Sequence, residues 1–255
     1  MSTLIKIETI RRGLSLLVLN RPERRNALCI ELLLQTCDTV ERIAGDRETR
    51  VLIITGAGPV FSAGLDLSEA SNPALVQQSA QCVARVLQLM RSTPLVTVAA
   101  AHGGAYAGGA GLMAACDIAI GSDDLKIGFP EARRGLLPAL ITAVLSSKIR
   151  EGDLRELFLV GNPIDAKRAQ QIGLLQRVVP KDQLLSSAIE AAESILAGGP
   201  QTIVATKMLL NQAYVPAANV AVPHMLDAHL EARHSHEASE GLAAFLEKRP
   251  PNWTL

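Results

Sequence analysis

The sequence predicts an α/β fold with a helical C-terminal region, and two observations carry that prediction. In the first half of the chain, short apolar segments of strand length alternate with longer segments of helical periodicity. From residue 138 onward helical patterns dominate, with one short strand among them. Strands that alternate with helices favour a layered core in which helices pack on a sheet.

The strands are predicted from short apolar runs bounded by glycine, proline or charged residues. Residues 5–10 and 14–19 flank Arg12 and Gly13, which predicts an opening hairpin. Further strands are predicted over 51–55, 95–100, 118–120, 125–127 and 175–179.

The helices are predicted from apolar residues three and four positions apart. Asn26 is interpreted as the cap of a first helix that ends near Gly45. Further helices are predicted over 74–90, 138–149, 154–160, 165–172, 184–196 and 202–214. With no long linker in the chain, we expect residues 1–190 to form the core and 191–255 a helical oligomerisation region.

Composition narrows the class of protein. The 255 residues include 25 Lys and Arg against 25 Asp and Glu, and 48% are hydrophobic. A zero formal charge argues against nucleic acid and anionic membranes as partners. Residues 95–116 carry no charge, but their five glycines favour a strand, a glycine turn and a short buried helix over a membrane span. The four cysteines form no CxxC pair, and no signal-peptide run opens the chain, so we expect reduced thiols in a cytoplasmic protein.

Two glycine turns that follow apolar strands are the most informative features. Gly64 allows a sharp bend in FSAGLDL, after which the amide of Leu65 is free to point into a cavity. Gly108 and Gly109 begin an apolar helix, where backbone amides are unpaired and partly positive. Two such amides aimed at one point stabilise a carbonyl oxygen that gains charge. The competing interpretations are ordinary turns, or a dinucleotide fingerprint over 109–114 whose first glycine stands too far from its strand.

Glu131 is the candidate general base, because it follows a predicted strand and a proline that stiffens the turn. The competing interpretation of Glu131 is a solvated ion pair with Arg133 or Arg134.

The remaining polar candidates receive structural interpretations. His102 is expected to be a hydrogen-bonding residue at a strand end, and Asp66 and Asp117 are expected to be caps or turn formers. The C-terminal histidines are 224, 229, 234 and 236; 229 and 236 are seven apart on a predicted helix face, but no metal motif accompanies them.

Taken together, these segments resemble the enoyl-CoA hydratase/isomerase (crotonase) family along essentially the whole chain. The resemblance is carried by LNRPERRNAL (19–28), ITGAGPVFSAGLDL (54–67), AHGGAYAGGAGLMAACDIAI (101–120), IGFPEARRGLLP (127–138) and PIDAKRAQQIGLLQRVVP (163–180). It implies a spiral of ββα units with a helical trimerisation region, an acyl-CoA substrate, and a homotrimer or a dimer of trimers. Coenzyme A would be part of the substrate, with no separate cofactor and no metal.

The resemblance also implies roles for individual residues. The amides of Leu65 and Gly108 would form an oxyanion hole, and Glu131 would match the second of the family's two catalytic glutamates. The substrate path would be lined by Arg25, Ala27, Ala63, Gly64, Leu67, Gly109 and Gly111. Arg25 would be a phosphate contact by its charge and position.

One departure from the family pattern bears on the reaction. Gly111 occupies the position of the first catalytic glutamate of hydratases, and Ser68 replaces a lysine that often meets the CoA phosphates. Hydration needs control of both a water and a proton, whereas one carboxylate is enough to shift a double bond. Hydratase-like branches with a small residue at the first position keep hydration open. A weakly catalytic acyl-CoA-binding trimer is a competing hypothesis, and so is a thioester hydrolase or decarboxylase on the same scaffold.

Overall fold

The described strands form two sheets, one of six strands and one of three. The computed structural model describes residues 3–214 and 216–253, and over 216–224 it describes the backbone alone. The strands are β1 (Ile5–Arg11), β2 (Gly13–Leu19), β3 (Thr49–Gly56), β4 (Val96–Ala101), β5 (Gly104–Tyr106), β6 (Ile118–Ser122), β7 (Lys126–Gly128), β8 (Ile164–Asp165) and β9 (Arg177–Val179). Within the described residues, the larger sheet has the order β1-β2-β3-β4-β6-β9 and the smaller one the order β5-β7-β8.

The predicted hairpin is confirmed, since β1 and β2 pair antiparallel with Ile5 opposite Leu19. Every other pair in the larger sheet is parallel. Parallel strands need crossover connections, and helices provide most of them here. The α/β class that the sequence pattern predicted is confirmed, and so is the fold that the family resemblance implied.

The helices are α1 (Ile30–Asp46), α2 (Leu67–Ala70), α3 (Val76–Ser92), α4 (Gly108–Ala115), α5 (Ala139–Leu145), α6 (Glu151–Arg155), α7 (Ala166–Gln171), α8 (Leu184–Leu196), α9 (Pro200–Tyr214), α10 (Pro216–Arg233) and α11 (His236–Glu247). A π-helical turn, Glu156–Val160, follows α6. None of the helices in the described part of the chain is long and apolar enough to cross a membrane.

Helices cover both faces of the larger sheet. On one face, α1, α3 and α4 bury leucine, valine and alanine side chains against Leu17, Leu52 and Ala99. On the other face, α8 packs the small side chains of Ala188 and its neighbours against the opposite side of the same strands. Alanine at the contact lets the helix approach the sheet closely. The boundary expected after residue 190 falls inside α8, and the division into core and oligomerisation region stays a prediction.

The interpretation of Asn26 as a helix cap is wrong. Helix α1 begins at Ile30 with Cys29 at its N-cap position. Asn26 is buried, its φ is +52°, and its Nδ2 donates to the carbonyls of Ala57 and Val60 at 2.8 and 2.9 Å. The side chain therefore holds the turn after β3, because buried carbonyls there need a donor.

The cysteine prediction agrees with the structure. Cys29, Cys37, Cys82 and Cys116 are all free and buried. Burial raises the pKa of the Cys116 thiol to about 12, so that thiol stays protonated and unreactive.

Candidate active site

Three chain segments meet at one end of the smaller sheet and bring the predicted site residues together. Strands β5 and β7 are parallel, with Tyr106 opposite Gly128, so the residues that follow each strand lie side by side. An isolated bridge pairs Ser62 with Ala105 and adds the FSAGLDL segment on the other side. Gly64, Gly108 and Glu131 are thus delivered to one place by strand register.

A small apolar cavity of about 40 Å³ opens between these segments. It is lined by Leu65, Leu67, Ala70, Val83, Ala107, Gly108, Glu131, Leu136, Leu137, Pro138, Leu140, Ile141 and His229. The walls are almost entirely hydrocarbon, a setting that excludes water and strengthens electrostatic interactions inside. Of the predicted site residues, Leu65, Leu67, Gly108 and Glu131 line this cavity.

Glu131 is the acidic side chain in the cavity wall. It is 7% exposed, and its Oε2 accepts no hydrogen bond from any residue that the structure describes. Burial raises the pKa of this carboxyl from 4.5 to about 7. A carboxyl with that pKa exchanges a proton readily near neutral pH, which is what a general base requires.

The interpretation of Glu131 as part of a solvated ion pair is wrong. Arg133 turns away and donates to Val160 O and Asn162 Oδ1. The Arg134 guanidinium lies 4.2 Å from the centre of the Phe245 ring. Its charge lowers the pKa of Glu131, but less than burial raises it.

The amides of Leu65 and Gly108 are both available to a ligand. In the bridge between Leu28 and Leu65, the bonds run from Leu28 N to Gly64 O and from Asp66 N to Leu28 O. The N–H of Leu65 therefore points away from Leu28, and it donates to none of the described residues. The N–H of Gly108 lies in the first turn of α4 and is likewise without an acceptor among them. The two residues are neighbours, since a Cβ placed on Gly108 would lie 3.8 Å from Leu65 Cγ.

An unusual backbone conformation precedes each of these amides. Gly64 has φ +91°, and a Cβ there would lie 2.7 Å from Tyr106 O, so only glycine fits. Ala107 has φ +48° and ψ −124°, a conformation that an L-residue adopts at a cost. The amide of Ala107 donates to Gly128 O at 2.9 Å, which holds the strained residue in place and fixes the direction of the next amide. The sequence analysis missed Ala107 because nothing in an alanine indicates an unusual φ.

Of the residues assigned to the CoA path, Leu67 lines the cavity, whereas Arg25, Ala27 and Ala63 are not among its lining residues. Ala63 N donates to Arg25 O at 2.9 Å, which places the segment after β2 against FSAGLDL. The side chain of Arg25 is exposed, and Ala27 and Ala63 are half-buried. Arg21, which the sequence analysis did not consider, donates from Nη1 to Ala27 O.

Gly109 and Gly111 face the protein interior. A Cβ on Gly109 would lie 2.6 Å from Ser62 Oγ, so this glycine permits the close approach of α4 to the FSAGLDL segment. A Cβ on Gly111 would lie 3.3 Å from Ile141 Cγ1 and 3.7 Å from Leu87 Cδ2. A side chain at position 111 would therefore begin in contact with apolar side chains, and Ile141 would have to shift slightly to admit it.

The two aspartates interpreted as caps differ in role. Asp66 caps α2 by accepting from Ser68 N, and it also forms an ion pair with Arg21. Asp117 is no cap: its Oδ2 accepts from the amide and hydroxyl of Thr97 and from Lys207 Nζ at 2.8 Å. It ties α9 to β4 instead.

His102 and His229 each bond to a backbone carbonyl of a distant segment. His102 Nε2 is bonded to Gly58 O at 2.9 Å, in agreement with its interpretation. His229 and His236 do not share a helix face, because α10 ends at Arg233 and α11 begins at His236. The side chain of His224 lies outside the described residues. No group of metal-binding side chains was found in the part of the chain that the structure describes.

The sequence matches the family model described as enoyl-CoA hydratase/isomerase over residues 9–255. The chain belongs to this family. It is 33% identical over 250 residues to enoyl-CoA hydratase EchA19 of Mycobacterium tuberculosis, covering 95% of this chain and 94% of the relative. This chain superimposes on the crystal structure of an enoyl-CoA hydratase from Mycobacterium avium with a TM-score of 0.90. The two chains are 30% identical, and 100% of each is covered. A monofunctional enoyl CoA isomerase from M. smegmatis has a TM-score of 0.73, with 27% identity over 91% of this chain and 98% of that one. The similar proteins therefore include both reactions of the family.

Proposed function

We propose that this enoyl-CoA hydratase/isomerase family member shifts the double bond of a 3-enoyl-CoA thioester to the 2-position, with Glu131 as its single acid-base group. One observation carries the proposal: a buried carboxyl with a pKa of about 7 lines the same cavity as two unpaired backbone amides. The amides of Leu65 and Gly108 hold the thioester oxygen, and Glu131 faces the carbon chain.

The reaction needs one proton to move between two carbons. The Glu131 carboxylate removes a proton from C2, and the electron pair of that C–H bond passes through C1 to the thioester oxygen. The resulting dienolate is stabilised by the two amides, which donate to the oxygen as it gains charge. The protonated Glu131 then returns the proton to C4, and the double bond forms between C2 and C3. The apolar walls keep bulk water from competing for that proton.

Hydration of a 2-enoyl-CoA is the second candidate, and the named hydratases among the similar proteins favour it. Against it stands position 111, where glycine occupies the place of the family's first catalytic glutamate and Ile141 would lie 3.3 Å from an added Cβ. His229, the other titratable group in the wall, is an unsuitable substitute, because burial and Arg233 lower its pKa to about 4.

The CoA portion of the substrate is proposed to cross the surface formed by Ala27 and Ala63. Arg25, exposed beside them, is the proposed phosphate contact. Ser68 adds no charge there. We propose a cytoplasmic enzyme that uses no cofactor beyond the CoA that its substrate carries.

A small substrate panel tests the reaction. Purified protein is given crotonyl-CoA or a 3-enoyl-CoA, and mass and absorbance of the product are followed together. A double-bond shift leaves the mass unchanged and creates the absorbance of a conjugated thioester, whereas hydration adds one water and removes that absorbance. Release of free CoA or carbon dioxide would instead indicate a hydrolase or decarboxylase. No turnover with intact acyl-CoA binding would indicate the binding protein.

We propose a homotrimer or a dimer of trimers as the assembly. Helix α9 exposes Met208, Leu209, Leu210 and Tyr214, and the turn after α6 exposes Leu159. Apolar surface of this extent favours burial against another chain. Light scattering at micromolar concentration is expected to give three or six times the chain mass, and a monomer would contradict the proposal.

A further inference from the structure

Arg233, at the C-terminal end of α10, is a buried cation. Only 7% of the residue is exposed to solvent. Nη2 donates to Ala70 O at 2.9 Å, and Nη1 donates to His229 Nε2 at 3.4 Å. Nε is buried and donates to none of the residues that the structure describes.

Among the described residues, the charge of Arg233 also lacks a counter-charge. Every ion pair found there involves other side chains, and burial is the one cause that lowers the pKa of this guanidinium. A buried charge without a partner is strongly destabilising, so such groups are rare unless a ligand completes them. Lys207, the other buried Lys or Arg among the described residues, does have a counter-charge, Asp117.

Arg233 stands directly behind the wall of the candidate active-site cavity. Both of the groups that accept its hydrogen bonds belong to lining residues, Ala70 and His229. His229 is held loosely, since its Nδ1 bond to Leu137 O and its bond from Arg233 are both 3.4 Å long. These lengths are at the upper limit for a hydrogen bond. A modest turn of the imidazole would open the cavity to the guanidinium.

Glu131 and His229 both line this cavity, together with leucine and isoleucine side chains. An acyl chain whose C2 lies at Glu131 would extend along this hydrocarbon wall. Its far end would then meet the Arg233 guanidinium, for which the described residues supply no anion.

We propose that the acyl chain of the substrate ends in a carboxylate and that Arg233 binds it through Nε once His229 turns aside. This inference rests on the proposed function for the placement of the thioester, and it adds the chemical class of the acyl group, an ω-carboxyacyl thioester. A carboxylate accepts strong charge-assisted hydrogen bonds from arginine. An apolar chain end would leave the guanidinium unpaired, and a site of that kind discriminates strongly against it.

Matched pairs of unreactive ligands test the inference in equilibrium binding. Adipyl-CoA and hexanoyl-CoA differ only in the terminal carboxylate, and glutaryl-CoA and pentanoyl-CoA form the same pair one carbon shorter. Isothermal titration of the parent protein is expected to give a Kd about 10-fold or more lower for the carboxylate-terminated member of at least one pair. Equal Kd values in both pairs would overturn the inference without any variant being needed.

The variant Arg233→Met assigns the preference to its residue. It is expected to weaken binding of the carboxylate-terminated ligand about 10- to 100-fold and to leave the apolar ligand unchanged or tighter. Arg233→Lys keeps the charge and is expected to keep part of the preference. The matched control is Arg85→Met, because Arg85 is exposed and pairs with Glu41 on the outer surface. A preference that survives Arg233→Met would refute the role of Arg233.

The two proposals fail separately. If the parent shifts or hydrates enoyl-CoA substrates but shows no preference for a terminal carboxylate, the proposed reaction stands and this inference is wrong. If it binds adipyl-CoA selectively and converts no enoyl-CoA, the inference stands and the proposed reaction is wrong.

Discussion

Replacing Glu131 by glutamine tests the base and its burial at once. The side chain is buried and its pKa is raised from 4.5 to about 7. Between those two pH values the folded protein holds a proton that the unfolded chain has lost, so stability falls as pH rises. One pKa unit corresponds to about 1.4 kcal/mol. Ionisation of Glu131 therefore costs the parent about 3 kcal/mol of unfolding free energy between about pH 4 and pH 8.

Glu131→Gln removes this ionisation while keeping the shape of the side chain. The stability of the variant relative to the parent is expected to rise by about 3 kcal/mol from about pH 4 to pH 8. Urea unfolding at both pH values measures the difference, at one fixed protomer concentration because assembly adds to apparent stability. Other titrating groups are common to both proteins and cancel in this comparison.

The catalytic result of the same substitution is expected to be opposite in sign. The rate should fall by about 10²-fold or more, and kcat/KM of the parent should rise with pH through a midpoint near 7. The control Glu8→Gln, at an exposed position on β1, should change neither quantity. If the stability of Glu131→Gln relative to the parent is the same at both pH values, the Glu131 carboxyl is not buried and its pKa is not raised. Full activity in Glu131→Gln would remove Glu131 from the reaction.

Three further predictions concern Gly108, Gly111 and Lys207. Gly108→Val should slow turnover by about 10²-fold, because its branched side chain would cover the amide. Gly108→Ala should cost much less, since a Cβ at this site makes ordinary contacts of 3.5 Å or more. Steady-state rates measure the loss of turnover, and CoA affinity shows whether binding is also changed. Gly111→Glu alone should unfold more easily and hydrate crotonyl-CoA no better, since Ile141 blocks the side chain, whereas Gly111→Glu with Ile141→Ala should increase the water-added product measured by mass. Lys207→Met should lower the unfolding free energy by about 3 kcal/mol, since it breaks a buried ion pair, and Lys181→Met, at an exposed pair, by less than about 1 kcal/mol; equal losses in urea would contradict this.

Local pattern was sufficient for the elements whose apolar faces are continuous in sequence. Helix α8 begins and ends at the predicted residues, because its apolar positions recur at helical spacing. Asn26 was misinterpreted because a polar residue before an apolar run is typical of a cap. Its actual acceptors are carbonyls 31 and 34 residues away, and no local pattern reports such a partner.

In the candidate site too, some features were readable from local sequence and others depend on residues that are distant in the chain. Glycine turns and a glutamate after a strand pointed to Leu65, Gly108 and Glu131 only together with the family resemblance, because each pattern alone is also typical of an ordinary turn or a surface ion pair. The burial that raises the pKa of Glu131 comes from side chains such as Leu140, which reach it through the fold. His229 entered the wall from a helix almost a hundred residues further along the chain, and its neighbours were not readable from its own segment.

The proposed oxyanion donor Gly108 and the proposed base Glu131 each follow a strand of the smaller sheet, and these two strands are paired. The amide of Gly108 follows β5 and Glu131 follows β7, and the bond from Ala107 N to Gly128 O joins the ends of these two strands. That bond holds Ala107 in its strained conformation, which an isolated turn would not retain. Oxyanion stabilisation depends on donors that are already in position before charge develops. The short parallel pairing of β5 and β7 therefore acts as the frame that keeps the proposed base and the proposed oxyanion donor at a constant separation.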